Sequence, residues 1–460
     1  MTSALKTQVT AIIAMLMHRL VRSLFRRRWT GSMFFLLAAS STVAQPTSNE
    51  QSLATAARHI EALLVPQAEA EFLSGVILVA RGDQILFHRA YGFANWELRT
   101  PNTRMTRFGV ASITKPMTAT LVGLLVRAGR LELGAPVDKY LPGFPRGPKG
   151  GPPSIGHLLT HRSGVPHRVT DALDEMQALH PSDIVRRVQA AGLLFEPGSR
   201  RLYSSAGYTC LARVIEVVEN KPFELALAER ILGPAGMASA VSETGQSLMP
   251  HRAMPYRLGA ENRKVAVKSA PYKDLRFLTG AGSVFATAQD LLRFLQAIHD
   301  GTFGGGLWDQ MFGSEAASWS GWTGRANGYE ASVDVFPAQN LIFVFLSNLR
   351  SAANWQTRER IQDILLGRTT GSVPLPPPVA DEFEEPESLV GSYGPARIML
   401  AEGRLFRGDN EVYPIEGGRY YIPASGSLMR FRRDSDGVVD AIISLRGGGK
   451  ETVLLRSSGR

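Results

Sequence analysis

The apolar positions change period several times along the chain, and each change predicts an element. Val76–Val79 and Gln84–Arg89 alternate on either side of Arg81-Gly82-Asp83, which predicts two paired strands. Ser112–Arg127 carries apolar residues at helical spacing and runs out before Gly129, a helix stop signal. Helical patterns recur at Asp183–Ala190, Tyr208–Val218, Phe223–Ile231 and Ala288–Ile298. Two strand patterns, Ala331–Phe336 and Leu341–Ser347, flank Pro337-Ala338-Gln339-Asn340, and a helix over Asn354–Leu366 follows. Strands at both ends with helices between them predict an α/β (α+β) fold. One antiparallel sheet is flanked by helices, draws its edges from distant segments and carries a helical insertion.

The periodicity also divides the chain. Gly371–Pro386 is rich in Pro and acid, which stops helix and central strand alike, so 371–387 reads as a semi-rigid linker. Beyond it, short alternating segments occur at Arg397–Leu400, Arg419–Ile422, Met429–Arg432, Val438–Ser444 and Thr452–Leu455, with glycine turns between them. Residues 388–460 are therefore expected to form a small all-β C-terminal domain, an antiparallel barrel or sandwich. That leaves 46–370 to hold the chemistry.

Residues 1–45 read as targeting rather than fold. Arg26, Arg27 and Arg28 precede the short apolar run Met33–Ala39, and Thr42-Val43-Ala44 offers small residues before a cut at Gln45. The run Ala11–Met17 is far below the ~20 residues that span a bilayer. The expectation is a signal peptide or an uncleaved N-terminal anchor. The protein is then exported, periplasmic or extracellular, or attached to a membrane through that segment. Six of the ten net positive charges lie in this preface, so the remainder carries only +4. With no nucleic-acid motif and no long basic run in the body, nucleic acid is not an expected partner.

Composition narrows the chemistry. The single cysteine, Cys210, excludes an intrachain disulfide and a Cys-rich metal site, and reads as a small buried residue. No histidine pair has metal spacing, and no phosphate or dinucleotide loop occurs, so neither metal nor cofactor is expected. No Gly-x-Ser-x-Gly elbow is present, which argues against an α/β-hydrolase. What does occur is Ser112-Ile113-Thr114-Lys115 at the head of a helix. A three-residue offset brings the two side chains together on one face. A serine hydroxyl needs a neighbouring base, and an enclosed lysine loses basicity and can serve as one.

The surrounding segment, FGVASITKPMTATLVGLLVRAGRLELGAPVDKYLPGF, resembles the serine β-lactamase and penicillin-binding-protein family, especially its class C-like branch. SIGHLLTHRSGVP (154–166), FEPGSRRLYSSAGYTCLARVIEVV (195–218), GAGSVFATAQDLLRFLQAI (280–298) and GWTGRANGYEASVDVFPAQNLIFVFLSN (321–348) follow in that family's order. The resemblance covers roughly residues 70–366. It implies Ser112 as the acylated nucleophile, Lys115 as its partner, and Tyr203 as the group that shuttles the proton, as phenolate or as hydrogen-bonded phenol. It implies an oxyanion hole from the Ser112 N–H and an N–H after Gly324, at Arg325.

Two departures bear on substrate. The family's Tyr-x-Asn reads Tyr203-Ser204-Ser205, and a serine cannot supply the amide's two donors. Its Lys/His-Thr-Gly reads Trp322-Thr323-Gly324, so the cation that meets a substrate carboxylate is missing. A Trp-x-Gly at this place resembles carboxylesterases of the β-lactamase fold. Strand alternation sends Arg325 to the face opposite Trp322. His161 reads as a structural loop residue, and Trp96, Trp319 and Trp355 as core or pocket wall. The expectation is a serine hydrolase acting on a small-molecule ester. Two alternatives stay open: a D-alanyl-peptide or β-lactam hydrolase of the same fold, acting on amides, and a catalytically silent scaffold at the cell envelope.

Overall fold

The computed structural model describes residues 48–457 apart from 246–247, 262–263, 313–319, 369, 378, 381–384, 402, 409, 424–425 and 446–450. The expected targeting segment and Trp319 lie outside the described residues. Helix α1 (Ser48–Glu69) leads into the hairpin β1 (Gly75–Arg81) and β2 (Gln84–Tyr91). Helices α2 (Thr114–Arg127), α3 (Pro181–Ala191) and α4 (Ser205–Glu219) follow, then the hairpin β3 (Tyr256–Glu261) and β4 (Lys264–Ser269). Helices α5 (Ala288–His299) and α6 (Leu307–Phe312) precede β5 (Gly321–Ala326), β6 (Tyr329–Phe336), β7 (Leu341–Ser347) and α7 (Ala352–Leu365). Among the described residues no helix is long and apolar enough to cross a membrane.

The main sheet has the order β5-β6-β7-β1-β2, and every neighbouring pair is antiparallel. Its centre joins distant segments, since Gly75 pairs with Ser347 and Arg81 with Leu341. Alternation along the strands then builds two cores. Val76, Leu78, Val333, Val344 and Leu346 face the side of α2, α4 and α5, where Met117, Leu121, Leu211 and Leu291 meet them. Ile77, Val79, Phe343 and Phe345 face the opposite side, against Ile60 and Leu64 of α1 and Ile361 of α7. Trp322 packs against the first core, so β5 presents it on the α2 side of the sheet.

Two elements escape the sequence pattern. Helix α1 carries Pro66 near its end, and most of its apolar residues are small alanines or fall in the unbroken run Leu63–Val65 rather than at clear helical spacing. The hairpin β3–β4 is polar and contains Gly259, yet it pairs in parallel with Leu349–Arg350 through β3. The predicted helix over Phe223–Ile231 is α-helical only to Leu227 and then widens into a π-turn over Ala228–Leu232.

The C-terminal region is an eight-stranded antiparallel meander: β8 (Gly391–Tyr393), β9 (Ala396–Ala401), β10 (Arg404–Arg407), β11 (Asn410–Ile415), β12 (Arg419–Ile422), β13 (Ser427–Arg433), β14 (Val439–Leu445) and β15 (Glu451–Leu455). It closes on itself. Tyr393 bridges Arg456, the Gly394 N–H donates to Leu455 O at 3.1 Å, and the Ser457 N–H donates to Ser392 O at 2.8 Å. Closure leaves a barrel with no open edge, filled by Tyr393, Ile398, Leu405, Val412, Met429 and Ile442. That cluster shares no residue with the two sheet cores.

The chain before the barrel is not loose at its start. Gln67 Nε2 donates to Val373 O at 2.6 Å, and Val373 is buried. A chain ending at Pro377 is therefore expected to fold with one cooperative melt, since it loses no core residue of the main domain. Ending at Thr370 strips Val373 from α1 and should cost roughly 2–4 kcal/mol more, one hydrogen bond plus one buried valine. Urea unfolding of the two truncations against the full chain measures this, and an unfolded 1–377 product would show that the barrel completes the core.

Candidate active site

The turn that presents Ser112 is anchored on the segment 284–286. Phe108-Gly109 pairs with Phe285-Ala286, and the Val110 N–H donates to Val284 O at 2.9 Å. Ala111 then adopts φ 47°, a left-handed conformation that disfavours any residue with a Cβ. A short 3-10 turn, Ala111–Ile113, follows, so α2 begins at Thr114 and Ser112 stands just ahead of it.

Lys115 lies one turn on, with only 5% of its surface exposed. Its Nζ donates to Ser112 Oγ at 3.2 Å, Ser205 Oγ at 3.3 Å and Ala281 O at 2.8 Å. Burial disfavours the ammonium and brings the lysine down to about 7. Tyr203 completes the triangle, its hydroxyl donating to Ser112 Oγ at 2.9 Å. Tyr203 is 43% exposed to the cleft, yet partial burial is the largest influence on its phenol and raises its pKa, opposed by the Ser112 and Ser205 hydroxyls. At neutral pH the tyrosine is thus a phenol, and the group that loses its charge is the lysine.

Two imidazoles brace Tyr203. His161, itself at φ 60°, accepts the Ser204 N–H on Nδ1 at 3.2 Å, and its carbonyl takes the Leu202 N–H at 2.8 Å. Its ring lies 4.5 Å from the Tyr203 ring and 5.1 Å from that of Tyr208. Burial, reinforced by Lys115, pushes His161 down to about 3, so it stays neutral. On the other side, the His167 ring is 5.4 Å from Tyr203 and accepts the Ser205 N–H on Nδ1 at 3.3 Å. The Ser204 side chain caps α4 by accepting the Gly207 N–H at 2.9 Å.

Strand β5 runs beside the Ser112 turn. A Cβ on Gly324 would lie 2.1 Å from Val110 O and 3.0 Å from Ser112 N, so only glycine permits this approach. Trp322 faces the same side, its ring 5.5 Å from that of Trp308. Arg325 points the other way, as alternation predicts: its guanidinium pairs at 2.7 Å with Glu330, its register partner on β6. Thr323 is exposed at the strand edge. Cys210 is buried in α4 and Trp96 packs beside Tyr256, while Trp355 lies half-exposed under Arg358.

Ser112 opens onto two clefts. One, of about 200 Å³, is walled by Pro116, Ala119, Leu159, Phe312 and Trp322, with Lys115 and Tyr203 at its base. The other, of about 330 Å³, is polar and lined by His167, Arg168, Glu175, Ser205 and Lys273. A third cavity of about 230 Å³ lies behind β5 and β6, around Arg325, Glu330, Asn354 and Trp355, and does not reach Ser112. Among the described residues no cluster of three or more His, Cys, Asp or Glu could hold a metal. Sequence spacing brought out Ser112 and Lys115, and the family resemblance brought out Tyr203. Neither brought out His167, Phe312 or the Ala281 carbonyl, which reach the site only through tertiary approach; Pro166 and His167 directly following the SIGHLLTHRSGV stretch were the nearest signal.

The Beta-lactamase family profile matches residues 56–366. Esterase EstB of Burkholderia gladioli is 32% identical over 290 residues, 55% of this chain and 72% of the esterase. A penicillin-binding protein of Bacillus subtilis is 30% identical over 260 residues, 54% of this chain but only 56% of that relative. Among solved structures, the octameric penicillin-binding protein homologue from Pyrococcus abyssi superposes with a TM-score of 0.58 at 20% identity, over 87% of this chain and 96% of that one. That span is wider than residues 56–366 and shows the fold.

Two outcomes follow from the geometry. Gly324→Ala should abolish activity and destabilise the chain, because its clash is with backbone on the Ser112 turn. Lys115→Met should abolish activity yet raise stability at and below pH 7, since a buried amine is removed. The lysine's folded value of about 7 lies below its ordinary 10.5. Above pH 7 the unfolded chain therefore binds more protons, and wild-type stability rises with pH. The variant's advantage should shrink by about 2 kcal/mol between pH 7 and 9, which denaturant melts at the two pH values measure.

Proposed function

Because the chain belongs to the Beta-lactamase family, a fold family of hydrolases, we propose that it is a serine hydrolase that forms an acyl-enzyme on Ser112 and acts on small esters with neutral acyl groups. The observation that carries this reading is the cleft of Trp322, Phe312, Leu159, Ala119 and Pro116 beside the Ser112–Lys115–Tyr203 triangle. An indole occupies the place where a cation would meet a carboxylate, and its face offers apolar contact to an alkyl or aryl chain. Burying an unpaired carboxylate there costs several kcal/mol. The esterase among the relatives supports the same substrate class.

In the proposed sequence, Ser112 Oγ attacks the ester carbonyl carbon as its proton passes to neutral Lys115. The oxyanion forms against the Ser112 N–H and the adjacent β5 edge at Gly324-Arg325. Collapse breaks the bond to the leaving oxygen, which takes a proton from the Tyr203 hydroxyl, and Lys115 returns one to Tyr203. Water then attacks the acyl carbon by the reverse proton path, freeing the acid and Ser112. The basic and apolar runs of residues 1–45 support export of this activity.

One observation favours a second reading. Arg168 and Lys273 line the polar cleft and could meet the carboxylate of a D-alanyl peptide or β-lactam. Both, however, already reach the buried Glu175, which offsets part of their charge.

Turnover of p-nitrophenyl butyrate and of a cephalosporin separates the two. We expect the ester to be preferred, Trp322→Lys to shift the ratio toward the cephalosporin, and Ser112→Ala to abolish both. Preference for the cephalosporin, lost in Arg168→Ala, would establish the second reading instead. For the ester, kcat/KM should rise with pH through about 7, because protonated Lys115 cannot accept the serine proton. A flat profile from pH 6 to 8.5 would remove Lys115 as the base.

A further inference from the structure

The polar cleft contains a donor that the acyl-transfer chemistry leaves unused. His167 is exposed to that cleft, which it shares with Ser112, Tyr203 and Ser205. Its backbone carbonyl accepts the Ser205 and Ala206 N–H groups at 3.2 Å each, which fixes the residue at the start of α4. Its ring orientation is fixed as well. Nδ1 accepts the Ser205 N–H at 3.3 Å, and the ring packs 5.4 Å from that of Tyr203.

An imidazole that accepts on Nδ1 carries its proton on Nε2. No protein partner for Nε2 is recorded among the described residues, so this N–H is a rigidly held donor at the cleft wall. Ser205, its neighbour, has no such freedom: its hydroxyl is engaged by Lys115 Nζ at 3.3 Å and by the Tyr203 phenol. Burial, then Arg168 and Lys115, lower the pKa of His167, which keeps the donor neutral. The charged side chains facing the same cleft are Arg168, Lys273 and Glu175, and the first two pair with the third, while Arg325, which borders the cleft on β5, pairs with Glu330 behind the sheet.

We propose that His167 is a specificity-determining residue whose Nε2–H binds a carbonyl acceptor on the acyl portion of the substrate, so that the preferred acyl groups carry an amide or ester carbonyl beyond the scissile one. The inference rests on the acyl-enzyme reading of Ser112. A neutral N–H directed at a carbonyl discriminates by leaving an unmatched polar group when the acceptor is absent. It also selects neutral acceptors, in keeping with a cleft whose cations are occupied.

The test compares p-nitrophenyl N-acetylglycinate with p-nitrophenyl valerate, which has the same chain length and no acceptor. Wild type should favour the first. His167→Ala should lower kcat/KM for the acetylglycinate by about 10- to 100-fold, mainly through KM, and for the valerate by less than about 3-fold. His167→Gln, which keeps a side-chain N–H, should recover part of the lost preference. Equal losses on both esters, or no recovery in His167→Gln, would reduce His167 to a brace for Ser205 and overturn the proposal. Failure of wild type to hydrolyse either ester would overturn the ester reading instead. In that event, fluorophosphonates carrying the same two chains decide the inference by their rate of Ser112 labelling. Selective slowing of the amide-bearing reagent in His167→Ala upholds it, and equal slowing or none overturns it.

Discussion

Burying the Lys115 amine costs the solvation of a charge, and three acceptors from three segments offset that cost. Ser112 belongs to its own helix head, Ser205 to the start of α4, and Ala281 to the loop before α5. The lysine therefore has a place only when α4 and the segment around Ala281 are both docked against α2. The same face of α2 reinforces the arrangement: Thr118 donates to Gly280 O at 2.6 Å, and Thr114 accepts the Val284 N–H at 3.2 Å. Segment 280–284 is thus fastened along α2 by side chains on either side of Lys115, and the carbonyl it offers to Nζ cannot drift away.

The second support is an unpaired sheet edge. Strand β5 ends the main sheet, and its outer side carries backbone groups that need partners. Here the Ser112 turn takes the place of a further strand. Its backbone comes so close that Gly324 has no room for a side chain, and Ala111 accepts a left-handed conformation to make the approach. The exposed edge and the strained turn are two halves of one device. Together they bring the backbone of Gly324 against Val110 and Ser112.

What could be read from the sequence follows from how local each signal is. Strands β1, β6 and β7 and helices α2 and α5 have strong periods because their faces meet large cores. Ser112 and Lys115 share one helix, so spacing alone joins them. Tyr203 was reachable only through its family motif, since 91 residues separate it from Ser112. The start of α2 was read two residues early, because nothing local indicates that Ala111 turns left-handed. Helix α1 was not visible, with Pro66 in its last turn and charged residues interrupting its apolar positions. Neither was β3–β4, whose pairing with Leu349–Arg350 is wholly tertiary. The two histidines look alike in sequence, and only the fold shows that one is enclosed beneath Tyr203 while the other opens to a cleft.

The placement of charge supports the proposed substrate class better than any single residue does. At the reacting centre Lys115 is close to losing its proton, His161 is held neutral, and Tyr203 keeps its phenol. Formal charge is kept outside this triangle, where Arg168 and Lys273 surround Glu175. A neutral ester can enter such a centre without giving up the hydration of an ion. In the proposed reaction, negative charge appears only as the tetrahedral intermediate forms, in surroundings that screen poorly. An anionic substrate would meet the same centre with its charge already present, and would gain less on passing from the bound state to the transition state.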